Sequence, residues 1–284
     1  MRYLRVSTIA ESSGCIKFLR SKILTSYRNS GGGSNRTKQT DAQLVGTGVH
    51  ELIQFVLTRE GSERGKVAEQ ISMDLEHLRQ NLESSDLLRK AFPDGYFQTG
   101  VIQHRMIKTW EEAKTLLQGS MNLLKALEEW KKGSENKWSV KEEVTINTKN
   151  DHHGYDHSPP SSRNIAGEEL NLHGSIDLVF EYQSYRILAE LKTGGYSEKK
   201  RRNWERQVKV YVDVWKEKHK EHTVFGAIIQ QHLTNGFSHL SGPINWASLA
   251  DPSQAVGGPQ CQQCKYRNSC DVSEFEGTQM LYMM

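Results

Sequence analysis

A chain of 284 residues buries a sizeable core unaided and needs no disulfide framework to fold. Its formal net charge of +3 is too slight to imply a polyanionic partner, so only locally clustered charge can argue for one. No stretch approaches the ~20 apolar residues of a membrane span, and Met1 to Ile9 is broken by Arg2 and Arg5, so a cytoplasmic protein with reduced or metal-bound cysteines is expected.

The first segment, to about Tyr27, reads as helical and contains Cys15. Asn29 to Asp41 is rich in Gly, Ser and Asn and too poor in apolar groups to pack. A helix is expected from near Ala42, where Leu44, Val45, Leu52, Ile53, Phe55 and Val56 form an apolar stripe that includes His50. Lys66 to Arg89 and Met106 to Lys132 repeat Leu, Ile, Met and Trp at three- and four-residue steps, the pattern of two further helices. Val140 to Ile146 alternates like a strand, and Asp151 to Glu168 is a polar loop with two prolines and several histidines. Leu170 to Glu181 and Tyr185 to Lys192 read as a hairpin turning near Tyr182-Gln183-Ser184. Lys199 to Lys218 is a basic helix and His222 to Gln231 a buried strand, after which regularity is lost. No segment repeats. This order predicts an α/β fold with helices packed around a mixed sheet.

The hairpin carries the chemistry. A strand alternates faces, so Glu190 and Lys192 share one face while Ala189 and Leu191 point to the core. Asp177 comes from the neighbouring strand, within Gly174-Ser175-Ile176-Asp177. Carboxylates are hard oxygen ligands suited to Mg2+ or Mn2+, and an ammonium beside them can hold an attacking water. The triplet alone fits a solvated strand end equally well. On the following helix Gln207 and Tyr211 stand four residues apart, on one face.

With that helix included, the chain resembles the RecB-type branch of the PD-(D/E)XK nucleases, in which a Gly-x-x-Asp strand, a Glu-x-Lys strand and a Gln-x-x-x-Tyr helix follow one another. That branch also has an upstream metal-binding His after a Gly-Thr or similar turn, and Gly46-Thr47-Gly48-Val49-His50 stands in that place. The resemblance implies a restriction-endonuclease-like sheet flanked by helices. It makes His50, Asp177 and Glu190 metal ligands, with the Leu191 carbonyl completing the set. Lys192 becomes the catalytic lysine, and Gln207 and Tyr211 steady the active site or the DNA. On its own, a His on an apolar helix is more often a satisfied core group, and only its company makes His50 a ligand.

The four cysteines of the chain are Cys15, Cys261, Cys264 and Cys270. A Cys-x-x-Cys chelate with two further thiols fits zinc or an iron–sulfur cluster. Iron–sulfur RecB-like nucleases have one cysteine before the His helix and three after the nuclease core, and these four occupy those places. The resemblance therefore implies a 4Fe-4S cluster clipping the first helix to the C-terminal tail. It covers Cys15 to Cys270 as one nuclease domain, with a helical region over 42–135, a core over 138–232 and a cluster module at 15 and 261–270. It is most similar to the CRISPR-associated Cas-four exonucleases, which trim single-stranded DNA ends and prepare spacer precursors beside the Cas-one/Cas-two integrase. A stand-alone repair or replication exonuclease, a non-catalytic DNA-end-binding module and a zinc-stapled structural protein remain alternatives.

Lys199, Lys200, Arg201, Arg202 and Arg206 open the Gln207/Tyr211 helix, as phosphate contacts or as a solvated face. Tyr196 and Trp204 could stack on bases or simply pack. Asp151-His152-His153 with Asp156 and His157 looks like a metal cluster but lacks apolar support. Gly61 to Lys66 falls short of a P-loop, with three residues between its glycines and Val67 after the lysine.

Overall fold

A computed structural model describes residues 3–12, 15–29, 41–59, 61–81, 102–130, 138–147, 163–220 and 223–240, together with Cys264, Tyr266 and Cys270. Six helices are described: α1 (Val6–Glu11), α2 (Ile16–Asn29), α3 (Asp41–Leu57), α4 (Gly61–Asn81), α5 (Ile102–Trp130) and α6 (Glu198–Lys218). The seven strands are β1 (Tyr3–Arg5), β2 (Ser139–Asn147), β3 (Arg163–Ile165), β4 (Glu168–Tyr182), β5 (Tyr185–Leu191), β6 (Thr223–Ile229) and β7 (Phe237–Leu240). Among the described residues, no helix is long and apolar enough to cross a membrane.

The strands form one mixed sheet with β4 as its hub. β4 pairs in parallel with β1 and antiparallel with β2, β3 and β5; β5 pairs in parallel with β6, and β6 antiparallel with β7. This is the mixed α/β architecture of the restriction-endonuclease-like fold. β5 lies between two strands and is covered on both faces, which is why Ile187, Leu188 and Ala189 run consecutively in place of an apolar–polar alternation. Ile187, Ala189 and Leu191 join a core with Val49, Leu52 and Ile53 of α3 and Leu116 of α5. Leu188 belongs to a second core with Ile9 of α1, Leu19 of α2 and Val208, Val212 and Trp215 of α6. Glu190 and Lys192 therefore extend toward the α6 side.

Several boundaries differ from the sequence reading. The first segment is not one helix: β1 precedes α1, and α2 follows. The Gly46-Thr47-Gly48 run is not a turn but part of α3, where a Cβ on Gly46 would lie 3.2 Å from Thr193 Oγ1. The end of the polar loop is β3, joined to β4 by Ala166-Gly167 with φ of +56° and +82°. Both central residues of a type I′ hairpin turn have positive φ, and Ala is rare there, so the turn was not legible as one. β7 adds order beyond Gln231. The run from Gly61 to Lys66 is the first turns of α4 and no phosphate loop. The Asp151-to-His157 cluster, most of the Gly/Ser-rich segment before Asp41, residues 82–89 and Cys261 lie outside the described residues.

Candidate active site

Leu178 pairs with Ala189 across β4 and β5, so Asp177 falls opposite Glu190 one step further along. The Leu191 backbone N–H donates to Asp177 Oδ2 at 2.8 Å. His50, on α3, places Nδ1 3.3 Å from Asp177 Oδ1. One turn further along α3, buried Gln54 donates from Nε2 to the Asp177 carbonyl at 3.0 Å. Gln54 was not picked out from the sequence, yet its four-residue offset from His50 was the available signal.

Glu190 is only 4% exposed. Its Oε1 accepts from Lys192 Nζ at 2.7 Å and from Gln207 Nε2 at 2.6 Å, while Oε2 is buried and has no hydrogen-bond partner. Lys192 Nζ also reaches Gln207 Oε1 at 3.2 Å. Gln207 Nε2 lies 3.2 Å from the Tyr211 hydroxyl, which donates to the Ser175 carbonyl at 2.9 Å. The four-residue step along α6 thus threads Glu190, Gln207, Tyr211 and β4 on one line. The helix begins where Ser197 accepts from the Lys200 N–H, an N-cap that fixes its start.

The glycine of Gly-x-x-Asp has a steric reason. A Cβ on Gly174 would meet Tyr211 Cε1 at 2.8 Å and its hydroxyl at 2.9 Å. Only a residue without Cβ leaves room for that ring beneath the carboxylates.

Charge and burial oppose each other here. Burial drives the Glu190 carboxyl up, Asp177 adds repulsion, and Lys192 only partly offsets them, so its pKa stands at about 7. Burial works against a charged His50, but the Asp177 carboxylate outweighs it and the imidazole pKa is raised. Burial also raises the Tyr211 phenol, which stays a neutral donor.

The family model of the PD-(D/E)XK nuclease superfamily matches residues 17–236. The chain belongs to the PD-(D/E)XK nuclease superfamily. No curated protein matches the chain. The crystal structure of SSO0001 aligns with 76% of this chain and 99% of its own, at 13% identity and a TM-score of 0.30, a likeness that carries no argument here. Nucleases of the PD-(D/E)XK superfamily cut DNA with divalent metals such as Mg2+ or Mn2+.

The donor set suits such a hard ion. A buried carboxylate oxygen without a partner is costly unless something ligates it, and Glu190 Oε2 is that oxygen. Among the described residues, no three His, Cys, Asp or Glu side chains stand together as a ready-made cluster. Asp177 is turned to His50 and Leu191, and Glu190 to Lys192 and Gln207.

The basic residues do not act alike. Lys199 and Arg202 are exposed. Arg201 pairs with Glu205 at 2.9 Å, and Lys200 Nζ donates to the Gly195 carbonyl at 2.8 Å. Arg206 departs from the expected outer face, being half-buried with Nη1 3.5 Å from the Ala10 carbonyl. At the other end of the chain, Cys15 and Cys264 are buried in one small cluster with Phe18, against which Tyr266 packs. Cys270 is half-buried, and Cys261 lies outside the described residues.

Proposed function

We propose that the protein is a metal-dependent exonuclease that hydrolyses phosphodiester bonds at single-stranded DNA ends. The observation that carries this reading is the unpartnered, buried Oε2 of Glu190, opposite Asp177 and two residues before Lys192. His50, Asp177, Glu190 and the Leu191 carbonyl are the proposed metal ligands. A bound divalent ion would neutralise the phosphate oxygens and lower the pKa of a water. Lys192 holds the attacking water by hydrogen bonding. Gln207 keeps the Glu190 carboxylate and the Lys192 ammonium in register through its two amide atoms. Tyr211 fixes Gln207 and anchors it to β4. The exposed Lys199 and Arg202 contact phosphates without reading sequence.

The packing of Cys15 against Cys264 favours the iron–sulfur branch of the superfamily, with Cys261 and Cys270 completing a 4Fe-4S site in one nuclease domain. The same end-trimming chemistry serves spacer-precursor processing and repair.

Degradation of a single-stranded oligonucleotide in Mn2+ by wild type and by Lys192→Ala tests the mechanism. Loss of about 10²-fold or more in rate is expected, the scale of one positioned catalytic group. Equal rates would remove Lys192 from it, and an inactive wild type that still binds DNA ends would favour the non-catalytic alternative.

A further inference from the structure

We infer that Tyr196 and His232 form a nucleobase platform beside the carboxylate–lysine site, through which the protein favours an unpaired strand over a duplex. The inference rests on the nuclease reading for its setting, but its own observations lie outside the catalytic set.

Lys192 directly follows β5, and Tyr196 comes four residues later across Gly194 and Gly195. Gly194 has φ of +76°, and no atom lies within 4 Å of where a Cβ on either glycine would stand. The ground between Lys192 and Tyr196 is therefore open backbone. Gln230, fully buried, ties this loop to the one after β6. Its Nε2 donates to the Gly194 carbonyl at 3.2 Å, and its Oε1 accepts from the His232 N–H at 2.7 Å. The same neighbourhood is pinned by the Lys192 N–H, which donates to the Ile229 carbonyl at 2.9 Å. A buried amide spent on joining two exposed loops fixes where their side chains stand.

The rings those loops carry come together. Tyr196 and His232 have centroids 6.3 Å apart, and Trp204 stands 6.4 Å from Tyr196. The Tyr196 hydroxyl donates to Glu198 at 2.5 Å. Tyr196 contacts both rings and Glu198, yet it belongs to neither apolar core and stays partly in water. A half-buried ring still leaves apolar surface in water, and covering that surface is favourable. A base laid on the ring supplies the missing contact, and stacking accepts any base. Duplex bases already stack on one another, so the platform selects unpaired ends. Lys199 and Arg202, exposed on the first turns of α6, are placed for the flanking phosphates.

The test measures anisotropy of a labelled single-stranded oligodeoxyribonucleotide, its abasic counterpart and a blunt duplex, in EDTA, with KM and kcat measured separately in Mn2+. Wild type is expected to bind the intact strand about tenfold more tightly than the abasic strand, and more tightly than the duplex. Tyr196→Leu should lose that tenfold on the intact strand only, raising KM and sparing kcat. Tyr196→Phe keeps the ring and should retain it. His232→Ala should weaken the intact strand alone by a smaller factor. Tyr196→Leu binding the intact strand like wild type, or losing affinity equally on both strands, would overturn the platform. So would Tyr196→Phe failing as badly as Tyr196→Leu. If wild type binds the strand but does not cleave it, hydrolysis fails as a reading and the binding data alone decide the platform.

Discussion

Glu190 is the single carboxylate in a strand otherwise covered by apolar neighbours, and its burial works against folding. Replacing it with Gln keeps the shape and the Gln207 contact while removing the charge. Because its pKa stands at about 7, Glu190→Gln should leave stability within about 1 kcal/mol of wild type at neutral pH. The same change should cut metal-dependent cleavage by about 10²-fold or more, since the orphan oxygen becomes an amide nitrogen. Chemical denaturation and a cleavage assay on one preparation check both halves. The pH dependence follows from the same group. Its folded pKa of about 7 lies above its ordinary 4.5, so the folded state holds the extra proton between those values. Its stabilising contribution to the metal-free protein is full below about pH 4.5 and is lost as pH rises through about 7. A ligating ion must displace that proton, so Mn2+ should raise Tm more at pH 8 than at pH 5. Melts in EDTA and in Mn2+ test this, and Glu190→Gln should lack both the loss between about pH 4.5 and 7 and the pH-dependent part of the metal effect.

At the scale of elements, β4, β5 and α6 were legible because their chemistry lies on fixed periods. A two-residue step off the end of β5 keeps Glu190 and Lys192 on one face, and four along α6 keep Gln207 and Tyr211 on one face. The register that sets Asp177 opposite Glu190 was not legible: the sequence ends the first strand at Glu181, whereas Tyr182 pairs with Tyr185 and leaves only Gln183-Ser184 in the turn. β1, β3 and β7 were not legible, because three or four residues carry no period. Gln230 escaped notice because its partners are backbone groups of loops, which no spacing announces. Gly174 was visible as a motif but not as a necessity, and the Tyr211 ring supplies the reason. Gly174→Ala should cost about 1–3 kcal/mol through overpacking. It should also displace the Tyr211 hydroxyl from the Ser175 carbonyl and loosen Gln207. A double-mutant cycle with Tyr211→Phe checks the coupling through the hydroxyl, and strictly additive losses would show that Gly174→Ala does not act through it.

For the whole molecule, the question is what joins the start of the chain to its end. β1 pairs with β4, and α1 and α2 lie in the same apolar core as α6, so the first residues are already fixed to the nuclease sheet. Cys15 stands at the entry to α2, its N–H donating to the Ser12 carbonyl at 2.8 Å and its carbonyl accepting from the Leu19 N–H at 3.2 Å. Cys264 reaches back to it from the C-terminal part, burying both thiols with Phe18. So small a patch of apolar surface is weak closure for a loop that spans most of the chain, whereas metal–thiolate bonds would make closure part of the folding free energy. A cluster at this clip predicts a brown protein, anaerobically purified, that absorbs near ~400 nm and contains iron and sulfide. Cys15→Ser should bleach it and lower Tm by about 5 °C or more. A colourless wild type holding zinc would make the clip a zinc site. A wild type that holds neither metal, with a Tm indifferent to chelator and to Cys15→Ser, would leave Cys15 and Cys264 as ordinary packing and remove the iron–sulfur assignment.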